Sequence, residues 1–318
     1  MFMFLESLIF SFSVTGPICL LLFLGWFLRR IDFINEQFIL IGSKLVFTVT
    51  LPTLLFLNIM KSDRDADINF SLISYSLLAN ILFFLLAVIL TKLLARNRDD
   101  HGAIIQGAFR SNLAIIGLAY VDNIYGDSGL ALAAVYVAFH VVLFNVLSVL
   151  ILMPKQEKMS FKMCLGLFKS IFKNPLIIGI LLGVLFFFFA IPVPDVMLDA
   201  GQYFAGMSLP MALLCTGGSL HLKTLNSDGF IIGFATILKI IVAPVLITGG
   251  AYFFGFRGFA LGLTFLMTAA PTAAASYVMA RAMGANAALA ANLIASTTVG
   301  SLITYSIGLS LLYSFNLM

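Results

Sequence analysis

Charged side chains are scarce in this sequence. Only 10% of its 318 residues are Asp, Glu, Lys or Arg, 61% are hydrophobic, and the mean hydropathy is +1.09. Soluble domains have about 25% charged and about 45–50% apolar residues. This balance excludes a soluble enzyme, a nucleic-acid-binding protein and a disordered chain. It indicates instead that the chain has the lipid bilayer as its solvent.

The sequence has only three cysteines, and no cluster of metal-ligating residues stands out. Cys19, Cys164 and Cys215 are isolated, so the sequence predicts no disulfide framework, no zinc site and no cofactor. The chain has no HExxH motif, no nucleophile elbow and no paired carboxylates inside an apolar run, so we do not expect an enzyme. It also has no basic region at its start, so a cleaved signal peptide is not predicted.

The apolar runs number ten, which fits a chain that spends roughly 30 residues on each membrane span and its loop. The predicted spans are 4–28, 37–58, 70–95, 102–123, 129–153, 174–191, 202–222, 229–254, 258–281 and 287–313. With the N-terminus outside, twelve Lys and Arg residues fall in inside loops and three in outside loops. The positive-inside rule therefore predicts a multi-pass protein of the cytoplasmic membrane with both termini outside the cytoplasm.

The longest break, 154–173, separates the first five spans (1–153) from the last five (174–318). Lys162, Lys169 and Lys173 share one helical face and phenylalanines interleave on the other, which predicts a basic amphipathic helix on the cytoplasmic leaflet. A plain connector between the halves is the simpler interpretation, and a regulatory or docking role is the alternative.

The two halves share landmarks at a constant spacing. Four pairs lie 158 residues apart: Pro17 and Pro175, Gly25 and Gly183, Pro52 and Pro210, Gly126 and Gly284. A duplicated unit with an odd number of spans enters the membrane from opposite sides in its two copies. The spacing therefore predicts an all-α integral membrane protein of ten transmembrane helices in two inverted five-helix repeats. This architecture is typical of alternating-access transporters.

Spans 4 and 9 hold the residues at which a helix is expected to break. Pro271 removes a backbone donor in span 9, and Gly117 permits an unwound backbone in span 4. Asn112, Thr272 and Ser276 could then satisfy freed backbone groups or contact a solute. Broken helices would aim half-helix N-termini, which favour carboxylates, at the middle of the membrane. The alternatives are a simple kink at Pro271 and a packing notch at Gly117.

These stretches resemble the auxin efflux carrier family, which includes bacterial malate and malonate permeases and has the bile acid/sodium symporters as relatives. The similar segments are Asn112–Ala119, Asp122–Gly126, Leu51-Pro52, Leu238-Lys239 through Pro244, and Ala270-Pro271. The resemblance implies that helices 4 and 9 are broken and cross, with spans 1, 2, 6 and 7 as a scaffold and the other six as a moving transport domain. Where the family often has proline, this chain has Ala119, so the break in span 4 would rest on Gly117 and tertiary contacts.

A few polar residues fall inside the predicted spans. Lys239 is about 16 Å into span 8, where it could bind a carboxylate substrate, hold crossover carbonyls, cap a broken helix or snorkel. Arg110 is interpreted as an interfacial anchor, with attraction of anions as the alternative. His140 is interpreted as a buried histidine and Asp122 as a solvated residue, and both are candidates for proton coupling.

The sequence thus predicts a secondary transporter of a small organic anion such as a carboxylate. Its coupling is expected to be to protons or to the membrane potential rather than to sodium. The alternative is a membrane sensor that binds a solute without moving it, although the longest soluble stretch is only about twenty residues. The expected partners are the small anion and the lipid bilayer. GxxxG spacings at Gly179/Gly183 and Gly258/Gly262 leave a homodimer open.

Overall fold

The computed structural model describes residues 2–61, 69–153, 173–220 and 229–318, and every regular element in these ranges is a helix. The helices are α1 (Phe2–Arg30), α2 (Glu36–Leu45), α3 (Leu51–Met60), α4 (Phe70–Leu94), α5 (His101–Phe109), α6 (Leu118–Leu152), α7 (Pro175–Phe189), α8 (Asp195–Gly218), α9 (Gly229–Ile237), α10 (Ala243–Phe253), α11 (Phe259–Ala269), α12 (Ala275–Ala282) and α13 (Ala287–Ser314). The prediction of an all-helical chain is confirmed for these ranges.

Six helical stretches in the described ranges are long and apolar enough to cross a membrane. They are Ile9–Arg30, Glu36–Met60, Phe70–Leu94, Leu113–Leu152, Gly229–Phe253 and Ala287–Ser314. Two shorter helices, α7 and α11, are also apolar. The architecture is therefore that of a multi-pass membrane protein, and most helix ends fall within a few residues of the predicted spans.

The structure interrupts span 4 near its middle and separates spans 4 and 5 at a single residue, Gly126, which lies in the predicted gap between them. After an interruption at 110–112, the chain continues through a π-helical turn, Leu113–Gly117, into α6. Helix α6 then runs to Leu152 across one non-helical residue, Gly126, at φ 62° and ψ −157°. Glycine adopts a positive φ without steric cost, so it turns the chain there without an intervening loop.

Two further π-helical turns join pairs of helices. Val46–Thr50 lies between α2 and α3, and Leu238–Val242 lies between α9 and α10. Each is followed by a proline, Pro52 or Pro244, in the first turn of the next helix. Proline has no N–H to donate, and π-helical turns occur mostly as single widened turns, often at functional sites. The second of these turns contains Lys239.

Glycines allow pairs of helices to pack with almost no gap between their backbones. A side chain at Gly25 of α1 would collide with the Leu214 carbonyl of α8, and one at Gly183 of α7 would meet the Phe56 carbonyl of α3. Gly179 likewise packs on Pro52 of α3. The GxxxG spacing in α7 is therefore used inside the chain, and the homodimer stays a prediction.

The predicted amphipathic connector lies outside the described residues, except for its last residue, Lys173, which is exposed. The division of the chain into 1–153, 154–173 and 174–318 stays a prediction.

Candidate functional site

Two interrupted helices meet back to back at the centre of the molecule. The chain leaves α5 at Phe109 and resumes helical geometry at Leu113, and it leaves α11 at Ala269 and resumes at Ala275. Between these points, Ser111 forms an antiparallel bridge with Thr272. The predicted interruptions of spans 4 and 9 are therefore present, and the two broken segments, 110–112 and 270–274, form what we call the crossover.

The crossover segments satisfy each other's backbone groups. The N–H of Asn112 donates to the Pro271 carbonyl at 2.7 Å, and the N–H of Ala273 donates to the Arg110 carbonyl at 2.9 Å. Non-helical backbone inside a bilayer is tolerated only where protein or a cavity covers it, because lipid offers no hydrogen bonds. The paired segments meet this requirement without water.

Threonines tie the crossover to the helices around it. The hydroxyl of Thr272 donates to the Gly107 carbonyl of α5 at 2.6 Å, and the N–H of Thr272 donates to the Thr297 hydroxyl of α13 at 3.1 Å. Both threonines are buried. One residue of the second interruption therefore connects α5, the crossover and α13.

Lys239 reaches the crossover from the π-helical turn between α9 and α10. Its ammonium donates to the Ser111 hydroxyl and, at 3.0 Å, to the Thr268 carbonyl in the last turn of α11. Only 1% of its surface is exposed. The C-terminal end of a helix carries a partial negative charge, so a cation is stabilised there. Of the roles left open by the sequence, holding carbonyls at the crossover and capping a broken helix both match this geometry.

A cavity of about 450 Å³ lies against one side of the crossover. Its walls come from the turn between α2 and α3, from α6 at Phe144 and Asn145, from the start of α7 at Asn174, and from both interruptions. The π-helical turn that leads into α6 begins at the cavity wall, and so does α12, at Ala275. Helix N-termini carry partial positive charge, so the cavity has a positive side formed by backbone alone.

Arg110 brings a full positive charge to the cavity wall. Its guanidinium donates to the Asn145 side chain at 2.8 Å and to the Ser148 hydroxyl at 3.0 Å, and it contacts the Met279 sulfur. Its side chain is 7% exposed. In the described parts of the chain its partners are neutral, and a buried cation without a carboxylate partner is costly unless an anion joins it.

The interpretation of Arg110 as an interfacial anchor is wrong. An anchor needs a side chain that extends into water or lipid headgroups, whereas this one is enclosed by α6 and α12. The depth of Arg110 in its helix could have indicated a buried position from the sequence. Arg110 lies nine residues past His101, the start of α5, which places it about 14 Å along the helix. The depth count that singled out Lys239 therefore applies to Arg110 as well.

Comparison with known proteins matches this chain over almost its whole length. A family model described as membrane transport protein covers residues 12–308. The chain belongs to the auxin efflux carrier family of membrane transport proteins. The resemblance drawn from the sequence is thereby confirmed.

Two relatives share this chain's length and carry the name uncharacterized transporter. The one from Methanothermobacter thermautotrophicus is 23% identical over 291 residues, covering 90% of this chain and 93% of the relative. The one from Methanocaldococcus jannaschii is 24% identical over 300 residues, covering 91% of this chain and 95% of the relative. The family and these names indicate a membrane transporter.

The predicted substrate-binding residues of this carrier-family chain fall into two groups. Asn112 lines the cavity. Pro271, Thr272 and Lys239 are gathered at the crossover, but none is among the described residues lining the cavity. Ser276 is buried in α12, and its hydroxyl has no hydrogen-bond partner among the described residues. The structure therefore joins five predicted residues in one region, but only one at the cavity wall.

The prediction that Gly117 is the unwound residue of span 4 is wrong. Its backbone is helical, at φ −56° and ψ −52°, and its N–H donates to the Asn112 carbonyl across the π-helical turn. A Cβ at this position would come within 2.8 Å of the Met267 sulfur of α11. Gly117 is therefore a packing notch, and the break occurs earlier because the bridge to Thr272 holds the chain open there.

The two coupling candidates lie away from the cavity wall. His140 is fully buried in α6, with its Nδ1 2.8 Å from the Tyr136 carbonyl and its ring stacked on that of Tyr136 at 3.9 Å. Asp122 is exposed on α6. A role for either residue in proton coupling stays a prediction. Asn145, the partner of Arg110, was missed because nothing in the sequence marks it from other polar residues of span 5.

Proposed function

We propose that this protein is a secondary transporter that moves a small organic anion, such as a carboxylate, across the cytoplasmic membrane by alternating access. The observation that carries the proposal is Arg110. Its buried guanidinium stands at the wall of a cavity beside the crossover and has only neutral partners in the described residues. A bound anion would supply the missing negative charge.

The cavity fits a small carboxylate in size and chemistry. Ligand pockets commonly measure about 300–1,000 Å³ and combine apolar walls with a few polar groups. Here Phe47 and Phe144 are apolar walls, Asn112 and Asn145 offer amide groups, and Arg110 offers a forked donor that suits a carboxylate. The N-termini of two half-helices add positive partial charge on the same side.

Helix packing supports the inverted repeat with ten transmembrane helices. Gly25 of α1 packs on the Leu214 carbonyl of α8, and Gly183 of α7 packs on the Phe56 carbonyl of α3. The two glycines are 158 residues apart, and so are their two partners. A repeat that pairs span 1 with span 6 and span 2 with span 7 requires this exchange of contacts. The family resemblance implies in addition that broken helices 4 and 9 cross each other, with spans 1, 2, 6 and 7 as scaffold.

The predicted topology assigns the cavity to the cytoplasmic side. Lys173 and Asn174 line it. Lys173 is the last residue of the connector that the positive-inside rule predicts to be cytoplasmic, and Asn174 follows it. Both termini then lie outside. With this orientation, the proposed cycle includes an inward-open state in which the anion exchanges with the cytoplasm between the scaffold and the moving helices.

Coupling to protons or to the membrane potential fits the charges at the site better than sodium symport. The side chains that reach the crossover are hydroxyls, an amide and two cations, with no carboxylate among those described. An anion that crosses without a cation carries net charge across the membrane. Moving one elementary charge through a potential of about 100 mV changes its free energy by about 2.3 kcal/mol, so the potential can drive its transport. His140 and Asp122 remain the candidates for a proton-coupled cycle.

Uptake into proteoliposomes tests the proposal. The purified protein is reconstituted, a pH gradient or a potassium-diffusion potential is imposed, and uptake of labelled malate, malonate and acetate is followed. Saturable uptake of one acid that depends on either gradient is expected. Binding of an acid by the folded protein without any flux would favour the alternative, a membrane sensor. If the folded protein showed no binding and no flux of any of these acids, that result would contradict an organic-anion site.

A further inference from the structure

The ammonium of Lys239 is enclosed behind the crossover rather than presented to the cavity. Its two acceptors in the described structure are the Ser111 hydroxyl and the Thr268 carbonyl, and 1% of its surface is exposed. A charge so buried normally pairs with a carboxylate. All fourteen acidic residues of the sequence fall at the ends of the predicted spans or in loops. The charge is therefore held by neutral oxygens.

These oxygens form the kind of surroundings that a dissolved cation would occupy. The Thr268 carbonyl belongs to the last turn of α11, the negative end of a half-helix. The Ser111 hydroxyl comes from the other interrupted helix. Carbonyl and hydroxyl oxygens are ligands of hard cations. In transporters with broken helices, unwound carbonyls and half-helix C-terminal ends coordinate coupling ions.

We propose that the Lys239 ammonium is a tethered monovalent cation that fills this position permanently, so that the crossover is complete without a dissolved cation. The charge balances the C-terminal end of α11 and, through Ser111, joins the two interrupted helices. Because it is covalently attached, it cannot be exchanged across the membrane during a transport cycle. The inference deepens the proposed function, on which its consequence for transport rests: anion movement needs no sodium.

The wild-type protein provides the first test. Uptake of the transported acid, and the melting temperature of the purified protein in detergent, are measured in sodium chloride, potassium chloride and choline chloride at equal ionic strength. Both quantities are expected to be the same in the three salts. Uptake that requires sodium, or a melting temperature raised specifically by sodium, would overturn the tethered-cation assignment while leaving the anion carrier intact.

Lys239→Ala provides the second test, because it vacates the position and leaves the oxygens. We expect a lower melting temperature and about tenfold or more slower uptake, since hydrogen bonds to charged groups are among the stronger ones. Sodium or ethylammonium chloride, but not choline chloride, should raise the melting temperature again by filling the vacated position. Lys92→Ala, which removes an exposed lysine at the end of α4, is the matched control and should respond to none of these salts.

Lys239→Gln separates charge from hydrogen bonding, because its amide donates without a positive charge. Uptake by this variant should remain as low as that by Lys239→Ala. Normal uptake by Lys239→Gln, or a Lys239→Ala protein whose melting temperature no small cation raises, would contradict the proposal. If the wild type moves no organic acid at all, the proposed function fails, and the melting temperatures still decide the assignment of Lys239.

Discussion

At the scale of single residues, Arg110 and Arg257 show how surroundings decide what the same side chain does. Arg257 is exposed, stacks on the Tyr252 ring at 3.8 Å and donates to the Tyr252 and Phe256 carbonyls at 2.7 Å. Water and these groups satisfy its charge. Arg110 is buried beside a cavity with neutral partners. Because water does not satisfy the charge of Arg110, a bound anion would be stabilised by it more than by Arg257.

The Thr272 hydroxyl is expected to stabilise the crossover. Thr272→Val keeps the shape but removes the donor to the Gly107 carbonyl, which then stays buried without this partner. We expect a loss of about 1 kcal/mol, seen as a melting temperature lower by a few degrees. The control is Thr53→Val, whose hydroxyl, among the described residues, donates within its own helical stretch, to the Val49 carbonyl. An equal shift for both variants would contradict the role of Thr272.

Sequence reasoning located the important residues better than it assigned their roles. The depth of Lys239 and the break at Pro271 follow from counting and from proline chemistry. The partners of Lys239 do not, because Ser111 is 128 positions away and Thr268 is 29. Only the fold brings them together. A packing notch at Gly117 was one of the two interpretations of the sequence, but the position of the break was beyond prediction, since the bridge that sets it depends on residues of the other half.

At the scale of elements, proline chemistry predicts where α11 must end. Ala270, the residue before Pro271, has φ −57° and ψ 136°. A residue before proline is biased towards this extended region and away from the helix. The Pro271 carbonyl then accepts the Asn112 N–H. One residue type thus sets the end of a helix and, by that, the bridge of the crossover.

Replacing Pro271 is expected to weaken transport more than folding. In Pro271→Ala the restored N–H lets α11 extend, and this extension competes with the bridge to Asn112. We expect uptake to fall several-fold while the protein remains folded in the membrane, as judged by size-exclusion elution and melting temperature. Pro210→Ala, inside α8 and away from the crossover, should transport normally. Unchanged uptake by Pro271→Ala would show that the break does not depend on this proline.

Close packing of α1 and α8 is a second property of elements that can be tested. A side chain at Gly217 would collide with the Leu22 backbone, whereas one at Gly206 of the same helix meets nothing within 4 Å. Gly217→Ala should therefore destabilise the protein by about 1–3 kcal/mol, as overpacking does. Gly206→Ala should be neutral or stabilising by up to about 1 kcal/mol. Equal melting temperatures for the two variants would refute the close contact.

The extent of the helices was largely readable from the sequence, because long apolar runs bounded by polar residues can hardly be anything else in a bilayer. The interruption at Arg110–Asn112 was placed less well, and the turn at Gly126 was predicted only as a gap between spans 4 and 5. Both depend on local backbone geometry that tertiary contacts impose. Hydropathy has no signal for a π-helical turn such as Leu238–Val242, although the proline after it is visible.

At the scale of the whole molecule, the proposed topology makes the cavity reachable from one side of the membrane only. In a background without native cysteines, Ala274→Cys at the cavity wall should react with a membrane-impermeant maleimide in inside-out vesicles. Arg257→Cys, in the predicted outer loop, should react in right-side-out vesicles. A saturating organic acid should slow labelling of Ala274→Cys alone. Labelling of Ala274→Cys only from outside would contradict the assigned orientation.

In the proposed transport cycle, Arg110 binds the transported anion in the cavity beside the crossover. The most direct measurement compares uptake of the transported acid by Arg110→Gln and Arg257→Gln in proteoliposomes holding equal amounts of folded protein. Arg110→Gln should be slower than wild type by about tenfold to a hundredfold, since a charged hydrogen bond contributes about 1.5–3 kcal/mol. Arg257→Gln should match the wild type. Equal uptake by both variants would contradict the assignment of the cavity as the anion site.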